Sequence, residues 1–308
     1  LPTTNQPRIV SLIASATEIV FHLGLGPLLV GRSHECDFPP GVEHLPCCTR
    51  TRFNCSGSSL EIDRQVKQSV ASALSVYEVD DEVLEALQPT HILTQTQCEV
   101  CAVSLRDVEL SIARKLRSQP GIVALEPNSL ADIWADIRSV AASVGVSAEP
   151  AIADLQRRMR VASGIAHSSR QRPRVACIEW LEPLMAAGNW VPELVAMANA
   201  ENLFGSAGLH SPWMTWQNLV DADPDVVIVM PCGFSNERTV PEMHWITDRP
   251  EYARLRAVRN GNVYVADGNQ YFNRPGPRVA QSLEILVEIL HPQAASRTFP
   301  ESAYLRFC

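Results

Sequence analysis

No run of apolar residues in this sequence reaches the roughly 18 needed to cross a bilayer, and no Lys/Arg block stands out in a chain whose formal net charge is -8. The first absence excludes a membrane-spanning helix. The second argues against a nucleic-acid partner, because neutralising phosphates takes clustered cations. The basic run Gln156-Arg-Arg-Met-Arg160 is read as a solvated helix face. Enzyme signatures are missing as well: there is no GxSxG elbow, no HExxH and no GxxxxGK. Gly24-Leu-Gly26 follows a helix rather than a strand, so it is a helix end and turn, not a nucleotide loop. Low-complexity tracts and short-period repeats are absent, and the reading is that of a protein that is not an enzyme.

The first residues, Leu1 to Pro7, carry neither the basic start nor the apolar core of an export signal, and the chain starts at Leu rather than Met. Nine cysteines, odd in number and unevenly spread, fit free thiols or a metal site better than a disulfide framework. The expectation leans to the reducing cytoplasm, with a periplasmic or exported location if a signal has been trimmed away.

The composition is that of a soluble globular protein, 46% hydrophobic and 19% charged, and 308 residues suit two domains. Two stretches read alike, as an apolar strand running into a polar turn and a helix: Arg8-Ile-Val-Ser-Leu-Ile-Ala-Ser-Ala-Thr-Glu-Ile19, and Glu179-Trp-Leu-Glu-Pro183 through Gly188-Asn-Trp-Val-Pro-Glu193. In the first, Ser15-Ala-Thr-Glu18 is read as a capping box. Strands at Ile9 to Leu12, Leu29 to Gly31, His91 to Thr94 and Ile122 to Leu125 alternate with helices around 61–72, 82–87, 104–116 and 129–144. Alternation of this kind predicts an α/β lobe with a largely parallel sheet. Ala151 to His167 then repeats apolar residues at helical spacing with no strand before Arg174, as a single brace would. Beyond it the alternation restarts, with strands at 175–179, 226–230 and 263–266 and a last helix from Pro277 to Leu290. The expected division is a lobe at 1–147, an interlobe helix at 148–168 and a second lobe at 169–308.

The order of several short motifs resembles the class III solute-binding proteins of ABC importers, most closely the vitamin B12-binding branch. The matching pieces are Arg8-Ile-Val-Ser-Leu12 with Ser15-Ala-Thr-Glu18, Gly31 followed by Asp37-Phe-Pro-Pro40, and Glu82 with Leu87 and Pro89 leading into a strand. In the second half they are Glu201-Asn-Leu-Phe204, Ala222-Asp-Pro-Asp-Val-Val227 and Arg274-Pro-Gly-Pro-Arg278. The resemblance implies two Rossmann-like lobes joined by one rigid helix, with a small-molecule ligand in the cleft between them. Relatives carry corrinoids such as cobalamin, haem, ferric siderophores or metal ions, so fold analogy sets only a shortlist, headed by the corrinoid. It also implies an acid on each lobe that meets arginines of an ABC permease. The first falls on Glu82, but Gln217 stands at the second position, which weakens docking at that end unless Asp221 or Asp223 substitutes.

Residues with chemistry gather where strands end. Cys98-Glu-Val-Cys101 follows the strand at His91, and His34-Glu-Cys-Asp37 follows the strand at Val30. Cys36, Cys98, Cys101 and His34 are soft and borderline donors for a metal ion or for a cofactor's metal. Buried structural thiols are the alternative. Aromatic and amide residues crowd the connections, as a large flat guest requires. The candidate ligand-binding set is Ser15, His34, Glu35, Gln97, Cys98, Glu179, Trp180, Trp190, Trp213, Phe234, Tyr271, Phe272 and Arg274, with Trp180 and Trp190 as principal contacts. Arg274 is matched to a propionamide, carboxylate or phosphate, or else to a loop-fixing salt bridge. Cys47, Cys48 and Cys55 are read as a loop over the cleft or as surface thiols. Competing with the corrinoid binder are a cytoplasmic thiol-dependent metal or redox protein using the CxxC and His-Glu-Cys-Asp turns, and an inert scaffold derived from a binder.

Overall fold

The computed structural model describes residues 6–52, 57–71, 76–96, 105, 108–109 and 116–308. The chain clusters into two compact units. The first comprises Leu1–Gly57, Arg64–Pro127 and Ala131–Ala153; the second comprises Ser58–Asp63, Asn128–Leu130 and Asp154–Cys308. No described helix is long and apolar enough to cross a membrane.

In the first unit, β1 (Ile9–Ser11), β2 (Leu29–Arg32), β5 (His91–Gln95) and β6 (Gly121–Leu125) form a parallel sheet in the order β2-β1-β5-β6. β1 and β5 are apolar almost throughout because both faces are covered: Ile9, Val10, Ile92 and Leu93 are fully buried. The chain leaves β1 for β2 on one side and returns through β5 to the other. The carboxyl ends of β1 and β5 are therefore the switch point at which such sheets open a crevice. A two-stranded antiparallel ribbon, β3 (Thr49–Thr51) with β4 (Tyr77–Val79), lies off the sheet and carries a cross-strand Arg50–Glu78 pair at 3.0 Å. Sequence reading passed over this ribbon because three-residue strands of mixed polarity leave no periodic signal.

The helices mostly follow the expected pattern: α1 (Ala14–His22), α2 (Ser59–Ala71), α3 (Asp81–Leu87), α4 (Leu130–Ser143) and α5 (Glu149–Ser168). The expected capping box does not form. α1 begins at Ala14 with Ile13 as its N-cap and no side-chain cap. The strand feeds the helix after only two residues, so Ser15 lies in the first turn and Glu18 at the start of the second, 2% and 3% exposed. α3 is properly capped, with Asp80 accepting from the Val83 backbone N–H. The division between the units falls within α5, between Ala153 and Asp154.

The second unit is built on a sheet of order β12-β11-β10-β7-β8, with β9 (Glu201–Asn202) also on β7. β7 (Arg174–Trp180), β10 (Val226–Val229) and β11 (Val263–Ala266) run parallel, whereas β8 (Met185–Ala186) and β12 (Tyr304–Arg306) are antiparallel additions. Around it lie α6 (Val191–Met197), α7 (Trp216–Ala222), α8 (Asn236–Glu242), α9 (His244–Thr247), α10 (Arg256–Arg259) and α11 (Val279–Leu290). α11 starts at Val279 with Arg278 as N-cap, so Pro277 precedes the helix instead of occupying its first turn. The sequence pattern did not announce the tail strand β12. Buried Glu288 holds that tail, accepting from Thr298 N–H at 2.8 Å and Tyr304 O–H at 3.0 Å. The switch point here lies between β7 and β10, because the chain goes from β7 to β8 and β9 on one flank and then to β10 and β11 on the other.

Candidate functional site

At the carboxyl edge of the first unit's sheet, the turn after β2 is a hydrogen-bonded knot. Thr49 Oγ1 lies 2.7 Å from His34 Nδ1, accepts from the His34 backbone N–H at 3.0 Å and donates to Ser33 Oγ at 3.0 Å. His34 Nε2 is buried without a hydrogen-bond partner. Burial, and secondarily the Arg32 charge, hold the His34 pKa below the ordinary imidazole value, so the ring is neutral at pH 7. Glu35 accepts from Tyr77 O–H at 3.1 Å.

The described thiols here are placed as follows. Cys36 is 2% exposed, with Sγ 3.0 Å from Thr17 Oγ1. Cys48 belongs to the unit's core, and burial followed by the neighbouring Cys47 pushes its pKa up to about 12. It is therefore neither a surface thiol nor part of a loop over a site. Cys55, Gln97, Cys98 and Cys101 lie outside the described residues. Among the described residues, no group of three or more His, Cys, Asp or Glu side chains is placed to hold a metal ion.

The second unit assembles more of the expected set. At its switch point Trp180 ends β7 and meets Phe234, which follows β10, edge to face at 5.2 Å between centroids. Arg238 on α8 stacks over Phe234 at 3.7 Å. Cys232 donates its backbone N–H to the Glu179 carbonyl at 3.1 Å, tying the two strand ends together. After β11, buried Asp267 accepts from Gln270 N–H at 2.7 Å, closing a turn that carries Tyr271 and Phe272. Burial raises the Asp267 pKa, while Arg274 and Arg278 pull against it. Both arginines are 5% exposed; Arg274 donates to Asn269 Oδ1 at 3.0 Å and Arg278 to Gln270 Oε1 at 3.2 Å.

Trp190, Asn189 and Trp213 sit on a neighbouring loop pair. Asn189 adopts φ +52° and exchanges backbone bonds with Leu209 and Gly208 at 2.7 and 3.0 Å. A Cβ on Gly205 would lie 1.8 Å from the Ala187 carbonyl oxygen, so this loop contact admits only glycine. Ser211 donates to Glu179 at 2.9 Å, fixing the predicted carboxylate. Trp213 is 56% exposed. The indole N–H groups of Trp180 and Trp190 and the Asn189 side-chain oxygen are buried without a hydrogen-bond partner among the described residues.

Phe272 is fully buried and belongs to the core, and Phe234 is 2% exposed, packed against Trp180 and Arg238. Two residues were missed in the sequence. Arg238 lies on a helix with no apolar periodicity to announce it, whereas Arg278 stands inside the motif from which Arg274 was chosen.

On α3, Glu82 is exposed. Gln217 on α7 donates to Asp221 at 2.6 Å, and Asp223 pairs with Arg256 at 3.3 Å, so both neighbouring acids already have partners.

A family model described as periplasmic binding protein matches residues 9–269. The vitamin B12-binding protein of Vibrio cholerae is 24% identical over 293 residues, covering 90% of this chain and 86% of that protein. Among solved structures, a periplasmic heme binding protein from Pseudomonas aeruginosa superposes with a TM-score of 0.71 at 20% identity, covering 95% of each chain. The periplasmic vitamin B12 binding protein of Vibrio cholerae gives 0.66 at 20% identity, covering 94% of this chain and 98% of its own. These likenesses establish the α/β fold.

Proposed function

The chain belongs to the periplasmic binding protein family, and from that premise we propose that it is a non-enzymatic solute-binding protein whose guest is a corrinoid or a related metal tetrapyrrole, handed on to an ABC permease. The observation that carries this reading is the switch point of the second unit. Trp180 packs on Phe234 there, Arg238 stacks on the same ring, and the Trp180 indole N–H is left without a protein partner. A macrocycle offers a broad face to the indoles and polar arms to the groups around its edge. Arg274 and Arg278 supply the cationic component, which suits the carboxylates of haem or the phosphodiester and amides of cobalamin. Vitamin B12 and heme, which the names of the relatives reported above carry, fall within this ligand class. In the first unit, taken by itself, His34 and Glu35 are the proposed ligand contacts. Glu82 is the proposed permease contact on α3.

Titrating the protein separately with cyanocobalamin and haemin, while following absorption bands and tryptophan quenching, tests the proposal. Saturable cobalamin binding supports it. Binding of haemin alone would replace the corrinoid by haem, and saturation by neither would remove tetrapyrroles from consideration.

A further inference from the structure

A recess of about 200 Å³ opens in the second unit, lined by Leu181, Glu182, Pro183, Leu184, Met214, Trp216, Trp245, Ile246 and Arg249. It shares no residue with the group around Trp180 and Phe234. Its volume falls below the roughly 300–1,000 Å³ of sites for drug-sized ligands, so a corrinoid does not fit and a small metabolite does. The floor is apolar, and its two indoles are held from behind: Trp216 Nε1 donates to Glu251 at 2.9 Å and Trp245 Nε1 to Glu242 at 3.0 Å. With those N–H groups engaged, what the rings offer a guest is hydrocarbon and π surface.

The rim carries one charge of each sign. Arg249 donates Nε to the Trp245 carbonyl at 3.1 Å and one terminal nitrogen to Glu182 Oε2 at 3.3 Å. This leaves Nη1 of Arg249 and Oε1 of Glu182 without a protein partner among the described residues. The side chains are 43% and 26% exposed, so both remain reachable from solvent. A guest can therefore engage both charges without breaking their mutual contact.

We infer that this recess binds a small α-amino acid with an apolar side chain. Its carboxylate would pair with Arg249 Nη1, its ammonium with Glu182 Oε1, and its side chain would rest on Trp216, Trp245 and Met214. A neutral apolar molecule would leave both rim charges unused, and a simple anion or cation would meet a like charge at the rim; a zwitterion matches both. The site does not depend on the identity of the tetrapyrrole guest.

L-Phenylalanine is the probe, measured on the whole protein by calorimetry and by the indole N–H resonances, assigned with W216F and W245F. Saturable binding with a dissociation constant on the order of 1 mM or tighter is expected for a ligand of this size. Phenethylamine, lacking the carboxylate, and 3-phenylpropanoate, lacking the ammonium, should each bind about tenfold more weakly, since each forfeits a charge-assisted contact. Arg249→Gln should weaken L-phenylalanine about tenfold and erase its advantage over phenethylamine, and Glu182→Gln should erase its advantage over 3-phenylpropanoate. The inference is overturned if the indole signals of Trp216 and Trp245 do not move, if no saturation occurs, or if the three compounds bind alike. The unaltered protein with the three compounds decides the matter even if a variant fails to fold.

Discussion

Asp136 carries a cost that its surroundings leave uncompensated, and removing its charge should stabilise the first unit. It lies in the middle of α4 at 7% exposure, on the face that also buries Ile133, Ile137 and Val140. One carboxylate oxygen accepts the Glu126 backbone N–H at 3.3 Å, and the other is buried without a partner. Burial, with smaller contributions from Asp132 one turn earlier and from Glu126, raises its pKa from 3.8 to about 7. The raised value means that the folded chain holds a proton the unfolded chain has already lost. The penalty is absent below pH 3.8, accumulates as pH rises to about 7, and is constant above it. The shift sets a ceiling of ~4 kcal/mol at alkaline pH, and partial solvent screening brings the expected figure to about 2 kcal/mol. Asp136→Asn keeps an acceptor for the Glu126 N–H and drops the charge. In thermal melts it should unfold about 4–8 °C higher than the parent at about pH 8, a difference that shrinks steadily on acidification and vanishes near pH 4. A pH-independent gap, or a variant less stable at pH 8, would refute the reasoning.

The other predictions bear on the proposed site, its partner and the packing. Replacing Trp180 and Trp190 together by Ala should cost at least about 2 kcal/mol of guest affinity by calorimetry on a protein whose circular dichroism is unchanged, as for desolvated aromatic anchors. Gln217→Glu should strengthen association with a B12-type permease, more at low ionic strength, despite an i,i+4 repulsion with Asp221 of a few tenths of a kcal/mol; equal binding in a pull-down at low salt would count against it. Gly205→Ala forces a methyl group against the Ala187 carbonyl and should destabilise the second unit by about 1–3 kcal/mol in denaturant titration. Iodoacetamide at about pH 8 should label exposed Cys308 in the folded protein but leave Cys48 and Cys177, whose burial raises their pKa to about 12, untouched until the chain is unfolded.

Local chemistry determined most of the architecture. Short apolar runs such as Val226 to Val229 are buried on both faces and can be little else than parallel strands between helices, and the long periodic stretch in α5 needs no tertiary partner to be recognised. Motif order was enough to indicate the periplasmic binding protein family. The positions of Glu179 and Trp180 at a strand end, and of Arg274 shortly before a helix start, were also legible, because the sequence marks both boundaries. Tertiary structure alone decided the rest. The β3–β4 ribbon and the β12 tail strand owe their existence to partners distant in the chain, Thr49 to Val79 and Tyr304 to Ala266, and a three-residue strand has no periodicity of its own. Likewise Ser15 and Cys36 carry side chains suited to a site, yet they are buried because α1 begins immediately after β1 and packs Thr17 against the thiol. Arg238 enters the candidate site only because α8 carries it onto the ring of Phe234. Sequence states what each side chain is able to do; whether it faces a guest or a neighbour depends on strand order and helix start, which are settled by contacts between residues far apart in the chain.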